Sequence, residues 1–363
     1  MKPVMSRAAD TRPSTYWPAL DGLRGLAILL VFAFHLPISA FRAGSYGVIL
    51  FFVLSGFLIT TILLRELDDT GTVNFRRFYQ RRARRLFPAL LVVVASYLIL
   101  QITILGEPEA WWHRSWPVLA YVSNYVQAGG AQLVHMAHTW SLAIEEHFYL
   151  LWPILLVAIP RRWRFATTCA LVVALAGWRL AMLFFGSPHD RIYFATDTNV
   201  FAPLLGCALA IGVHEKRIPA PTANVSALST AALVAAACLP WHYLDRRLLY
   251  ITVPVGLLSA VAIHAALFKP AVWLENRLLR WFGKISYGLY LWHYMMIALP
   301  WEQLSPLPPV FFMVASPIAL AWISWRFIEA PLLRRSPSRS SGPRDGGPPP
   351  SRPDGTPPML IRS

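Results

Sequence analysis

The sequence predicts an all-α polytopic integral membrane protein of about ten transmembrane helices with both termini cytoplasmic, and three observations carry that prediction. First, 56% of the 363 residues are hydrophobic and mean hydropathy is +0.47. Second, the apolar residues gather into runs of roughly twenty, the length a helix needs to cross a hydrocarbon core of about 30 Å. These runs lack the two-residue alternation of an outer-membrane barrel, so the backbone must satisfy itself as helix. Third, the positive charge is segregated between the loops.

Taken in order, the expected spans are residues 23–41, 46–64, 86–106, 139–159, 166–186, 198–213, 222–240, 248–267, 285–300 and 309–330. With the N-terminus inside, 25 of the 33 Lys and Arg fall in inside segments and five in outside segments, with Arg24, Arg179 and Arg326 within spans. That asymmetry is the positive-inside rule at work and supports the ten spans and their orientation; the expected location is the inner (cytoplasmic) membrane, multi-pass. The net charge of +15 is then explained by topology, and no nucleic-acid partner is expected.

Residues 1–19 read as a cytoplasmic segment without a signal-peptide cleavage arrangement, so the first apolar run is expected to remain as an anchor. Residues 20–333 form the membrane domain. Residues 334–363, rich in Pro, Ser and Arg, read as a disordered cytoplasmic tail. Counting residues 117–127 as a span would move the Arg161–Arg164 cluster outside, so this segment is read as an outer-face or re-entrant helix. Cys169, Cys207 and Cys238 stand alone in apolar runs and are expected to be core residues; no metal site is expected.

Ionisable groups inside spans are costly and mark function. In "LDGLRGLAILLVFAFH" (Leu20 to His35), Arg24 and His35 are eleven residues apart. On a helix they fall within about 20° of one face and about 16 Å apart along the axis. They read as two stations on one path, with Asp21 beside the first. An Arg snorkelling to lipid phosphate and an interfacial His are the plainer alternative.

In "FYQRRARRLFPAL" (Phe78 to Leu90), Arg81, Arg82, Arg84 and Arg85 precede the third span. Guanidinium forks suit phosphate, so a pyrophosphate-bearing cytosolic donor such as acyl-CoA fits, as does binding of anionic membrane lipids. "HMAHTWSLAIEEHFYLLWP" (His135 to Pro153) carries His138, Glu145, Glu146 and His147. Adjacent residues point about 100° apart, so only one of Glu145 and Glu146 can face a given site, where a carboxylate near His35 would orient its imidazole or act as base. In "GKISYGLYLWHY" (Gly283 to Tyr294), Ser286, Tyr287, Tyr290 and His293 recur at helical spacing and would border a cavity, although interfacial aromatic belts have the same composition. Ser55, in mid-membrane beside Gly56, lacks a sequence-adjacent base and a nucleophile elbow, so it is read as a packing residue.

With these motifs in order from about Tyr16 to Leu333, the sequence resembles acyltransferase family 3, the integral membrane O-acyltransferases of O-antigens, other surface polysaccharides, Nod factors and macrolide sugars. The R-x10-H pattern (Arg24, His35), the R-x-x-R pattern (Arg82, Arg85) and the SLxxEExFYLLWP block carry the resemblance. It implies that His35 is essential for transfer, that the arginines serve the acyl-donor end and that Glu145 supports the site. It resembles the stand-alone members, without the appended extracytoplasmic SGNH-type domain.

The expected activity is transfer of an acyl group, acetyl foremost, from cytosolic acyl-CoA as co-substrate, with no bound cofactor, to a hydroxyl of a carbohydrate or lipid-linked glycan acceptor such as lipopolysaccharide O-antigen. Arg24, Arg82 and Arg85 would bind the donor. His35 would be general base or carry the acyl group, with Asp21, Ser286, Tyr287, Tyr290 and His293 supporting. The rival reading is a proton-coupled transporter, since His and Glu within helices also build proton relays; a scaffold without chemistry leaves the charges unexplained. The facing argument predicts that Glu145→Gln costs far more transfer activity than Glu146→Gln; equal losses in a vesicle assay would refute it.

Overall fold

The computed structural model describes residues 16–37, 39–221, 225–240 and 245–334. Among these the regular structure is entirely helical. The order is α1 (Pro18–His35), α2 (Tyr46–Thr70), α3 (Phe75–Leu100, prolonged by a π turn over Gln101–Leu105), α4 (Ala110–Leu119), α5 (Ser123–Ala128) and α6 (Trp140–Ala158). Then follow α7 (Arg164–Phe184), α8 (His189–Phe194), α9 (Thr196–Asn199), α10 (Phe201–His214), α11 (Val225–Ala237) and α12 (Arg246–Phe268). The chain closes with α13 (Arg277–Ile297), α14 (Trp301–Leu304), α15 (Pro309–Ser324), a π turn over Trp325–Glu329 and α16 (Ala330–Arg334).

Local chemistry sets several of the starts. Pro18 opens α1, where its missing N–H costs nothing. Asn74, Asp245 and Asn276 cap α3, α12 and α13 by accepting from the backbone N–H of Arg77, Arg247 and Leu278. Gly71, at φ 73°, ends α2 in the left-handed conformation that a side chain resists.

Among the described residues, seven helical stretches are long and apolar enough to cross a membrane: residues 18–35, 46–70, 75–105, 134–158, 161–184, 246–268 and 309–332. Their outer faces are apolar, with Val173, Phe184 and Phe185 more than two-thirds exposed, as lipid contact requires. The chain is thus a multi-pass, all-α membrane protein. The other three expected spans differ from the simple pattern for visible reasons. The span at 198–213 lies on α10 and that at 222–240 on α11, apolar helices of 14 and 13 residues; at about 1.5 Å per residue each covers only some 20 Å. Residues 222–224 lie outside the described residues. The span at 285–300 lies on α13, whose first turns carry Arg277, Arg280 and Lys284.

Residues 117–127 form no continuous helix. They straddle α4 and α5, with Tyr121 between them at φ 53°. The segment is tied into the bundle: Gln127 Nε2 donates to Ala137 O (2.9 Å) and Asn124 Nδ2 to Thr196 Oγ1 (3.0 Å). The tail assigned to 334–363 and most of the segment 1–19 lie outside the described residues. Of the cysteines, Cys207 is buried, Cys169 is half-buried and Cys238 is exposed, which corrects the expectation of three core residues. In a membrane chain an apolar run does not distinguish a core face from a lipid face.

Two backbone-to-backbone seams organise the bundle. Between α1 and α13, Gly25 rests on the Leu279 carbonyl and Gly283 on that of Asp21, and Gly22 rests on the Leu274 carbonyl in the turn just before α13. Between α2 and α10, Gly56 meets the Pro203 carbonyl and Gly206 the Val53 carbonyl. A methyl group at any of these would overlap main chain, so the small residues permit the approach. Arg179 pins α7 to its neighbours. It is 1% exposed and donates to the carbonyls of Leu249, Ile192 and Thr198, to Asn199 Oδ1 and to Thr252 Oγ1, at 3.0 to 3.4 Å. Each of the three guanidinium nitrogens thus has an acceptor.

Gly25→Leu or Gly283→Leu is expected to lower thermal stability in detergent far more than Gly177→Leu, since Gly177 is helical but has open space around it. Equal losses would remove the seam from the account.

Candidate active site

Helical spacing delivers the site's side chains in sets. Ser141, Glu145 and Tyr149 repeat every four residues along one face of α6, and Arg82 and Arg85 are three apart on α3. Arg24 comes from α1, Ser55 from α2, and Ser286, Tyr287 and Tyr290 from α13. Together these line one cavity of about 280 Å³, whose remaining wall is apolar, with Phe51, Leu58 and Ile62 among it. Arg24, Arg82, Arg85, Glu145, Ser286, Tyr287 and Tyr290, singled out from the sequence, are therefore brought together, although they come from four helices.

The hydrogen bonding inside the cavity is directional. Tyr149 OH donates to Ser55 Oγ (3.0 Å), and Ser55 Oγ donates to Glu145 Oε1 (2.7 Å). Arg24 Nη2 donates to Ser286 Oγ (3.4 Å), and Tyr287 OH donates to Leu86 O (2.7 Å), tying α13 to α3. The Arg82 guanidinium lies over the Tyr149 ring, 3.6 Å from its centroid. The Nε atoms of Arg24 and Arg82 are buried without a hydrogen-bond partner. Three guanidiniums face this space with one carboxylate, Glu145, on its wall and Glu329 nearby, within electrostatic reach of Arg24 and Arg85. The cavity is therefore cationic, rich in donors and able to hold a phosphorylated anion.

His35 does not line that cavity. It belongs to a cluster with His293 and His138, whose ring centroids stand 5.0 Å (His35 to His293) and 5.2 Å (His138 to His293) apart. His293 Nδ1 lies 2.7 Å from Tyr290 O and His35 Nδ1 lies 2.9 Å from Val31 O. Carbonyls only accept, so both Nδ1 atoms carry the proton and both Nε2 atoms the lone pair. His293 Nε2, 3.3 Å from His35 Nδ1, can share that proton, and His35 Nε2 is left as the basic nitrogen. Tyr290 joins the cluster to the cavity. Its hydroxyl donates to His138 O (2.7 Å) and so accepts from Ser141 Oγ (2.6 Å).

Several sequence expectations need correction. Glu145 is bonded to Ser55 and not to His35. His293 joins the histidine cluster and leaves the face shared by Ser286, Tyr287 and Tyr290. Asp21 takes no part in the cavity: it accepts from Tyr16 OH (2.7 Å), and Arg280 Nη2 donates to the same hydroxyl (3.0 Å). Burial, with the Asp21 carboxylate next, raises the Tyr16 phenol above its ordinary range. Of the four clustered arginines, Arg81 turns toward Glu66 (3.8 Å) and Arg84 is exposed.

Ser55, read as packing, is in the site because Glu145 supplies from α6 the carboxylate that its own neighbourhood lacks. Glu329 and Tyr149 were also missed. A lone carboxylate in the last apolar run was the available signal for Glu329, which now sits in a π turn and accepts from Ser324 Oγ (3.2 Å).

A helical membrane bundle that gathers arginines, hydroxyls and a carboxylate on one buried cavity, with an imidazole cluster adjoining it, defines the class. Residues 17–326 match the profile of the acyltransferase domain, and the chain belongs to that family, acyltransferase family 3. It is 33% identical over 357 residues to a putative peptidoglycan O-acetyltransferase of Bacillus subtilis (strain 168), covering 89% of this chain and 56% of that protein. It is 31% identical over 351 residues to the peptidoglycan O-acetyltransferase OatA of Listeria monocytogenes, covering 88% and 56%. A putative O-acetyltransferase of Staphylococcus aureus (strain MSSA476) is 31% identical over 361 residues, covering 88% and 58%. The chain thus spans a little over half the length of the curated relatives it matches. No solved structure matches it.

Tyr149→Leu removes the ring beneath Arg82, whereas Tyr149→Phe keeps it. The expected result is inorganic pyrophosphate binding weaker in the Leu variant by about 2- to 30-fold relative to the Phe variant, measured by titration calorimetry. Identical affinities would mean that the stack does not position Arg82.

Proposed function

We propose that the chain is a membrane O-acetyltransferase that takes acetyl from acetyl-CoA on the cytosolic side and delivers it to a hydroxyl of a cell-envelope carbohydrate. The observation that supports this most is the convergence of Arg24, Arg82 and Arg85 on one cavity with donor nitrogens left unpaired, as a ligand carrying several phosphates requires. Membership in an acyltransferase family supports the reaction class. The names of the relatives support acetyl as the group and favour peptidoglycan over lipopolysaccharide as the kind of acceptor.

In this reading the donor's phosphates lie against Arg82 and Arg85, with the arginine-rich end of the bundle cytosolic. The pantetheine arm extends along α1 past Arg24 and Tyr290 toward His35, a rise of about 16 Å. Ser286 holds the Arg24 fork, and Glu145 balances part of the cationic charge and fixes the Ser55 hydroxyl. At the far end, His35 Nε2 takes the proton of the acceptor hydroxyl as its oxygen attacks the thioester carbonyl. The carbon–sulfur bond breaks, and the imidazolium returns the proton to the departing thiolate. His293 Nε2 accepts from His35 Nδ1 and so holds the base in the productive tautomer.

Inverted vesicles supplied with radiolabelled acetyl-CoA and a glycan acceptor test the proposal. His35→Ala is expected to abolish transfer while the protein remains inserted and still binds donor, and the Arg82→Ala/Arg85→Ala pair to raise the KM for acetyl-CoA by about tenfold or more. Transfer that persists without His35 would remove it from the mechanism. Label incorporation indifferent to both arginines, accompanied by loss of proton-coupled export, would replace the enzyme with the transporter.

A further inference from the structure

Glu146 is one residue from the cavity's carboxylate and faces somewhere else. It lines a second space of about 210 Å³ between α3 and α6, together with Arg82, Tyr121, Tyr149, Phe87 and Leu150. Arg82, Leu86 and Tyr149 border both spaces, and the stacked Arg82–Tyr149 pair is the polar part of the partition between them. The two helices are joined here by few links: that stack, and the bond from Tyr79 OH to Leu150 O (2.8 Å).

The mouth and the floor of this space differ in chemistry. At the mouth Leu150 is 58% and Phe87 39% exposed, and Ala83 is exposed, on helices that cross the bilayer, so the opening faces lipid chains. The floor carries a carboxyl, a phenol and one edge of a guanidinium. Tyr121 is held there at φ 53°, a left-handed conformation that costs an aromatic residue about 1–3 kcal/mol and persists only where its surroundings impose it. A polar floor behind an apolar mouth fits neither a lipid tail alone nor a water-soluble donor. Because Glu146 offsets the charge of Arg82, an anionic head has no net attraction there; a hydroxyl can donate to the carboxylate and accept from the phenol.

We propose that this lateral pocket binds, from within the bilayer, the hydroxyl-bearing uncharged head of an amphiphile. That binding does not rest on the acetyltransferase reading.

The test needs no acyl transfer. The full chain in lipid nanodiscs is irradiated with an alkyl glucoside bearing a diazirine in its chain, and adducts are mapped by mass spectrometry. Adducts are expected to concentrate on Phe87, Tyr121 and Leu150, to be displaced by dodecyl glucoside about tenfold more effectively than by dodecylphosphocholine, and to be lost in Ala83→Trp, which fills the mouth. Glu146→Gln, of the same shape, is expected to erase most of the preference for the glucoside over the phosphocholine. Adducts spread over the lipid-facing helices and indifferent to Ala83→Trp would overturn the site. Equal competition by the two amphiphiles in the unmutated protein would overturn its selectivity for a hydroxyl head. Should the vesicle assay show no acetyl transfer while this labelling holds, the pocket stands and the acetyltransferase reading falls.

Discussion

The site depends first on how closely α1 can approach α13. Glycines at 25 and 283 let the two backbones touch, and the cross-helix partners of both Arg24 and His35 are residues of α13. Arg24 meets Ser286 and His35 meets His293, seven residues further along the same helix, so one seam sets both stations. A helix pair separated by ordinary side chains, at 8–10 Å, would leave the arginine and the imidazole without these partners. The second seam, between α2 and α10, holds the helix that carries Ser55.

Buried arginines in this protein come in two kinds, and hydrogen-bond saturation separates them. Arg179 meets five neutral acceptors, with each of its three nitrogens engaged; it clamps α7 to α12 and to the short helices before α10. Arg24 and Arg82 keep buried donors without partners, and Arg82 spends its face on an aromatic ring. Burying a guanidinium with unmet donors is costly, so such a group is retained where a ligand completes it. Charge alone would have ranked all three alike.

The adjacent pair Glu145 and Glu146 shows how one helix serves two compartments. Their angular separation of about 100° directs one carboxylate to Ser55 in the cationic cavity and the other to the lateral space. Tyr149 and Arg82 then stand between those compartments and touch both. The same geometry that excludes Glu146 from the cationic cavity gives it a separate environment.

Much of this was legible in the chain itself. Apolar run length and the absence of two-residue alternation determine a helical membrane protein, because unsatisfied backbone cannot cross lipid. Helical periodicity determined that Arg82 with Arg85, and Ser286 with Tyr290, share faces, since the i, i+3 and i+4 relation is local. Which faces meet was decided only by the tertiary structure. Glu145 finds Ser55 ninety residues away, His35 finds His293 across 258, and Asp21, adjacent in sequence to the site, turns to Tyr16. Sequence spacing fixes a residue's angle on its own helix, whereas the depth and rotation at which two helices lock are set by packing of small residues and by buried polar groups seeking partners, and neither is a property of one segment.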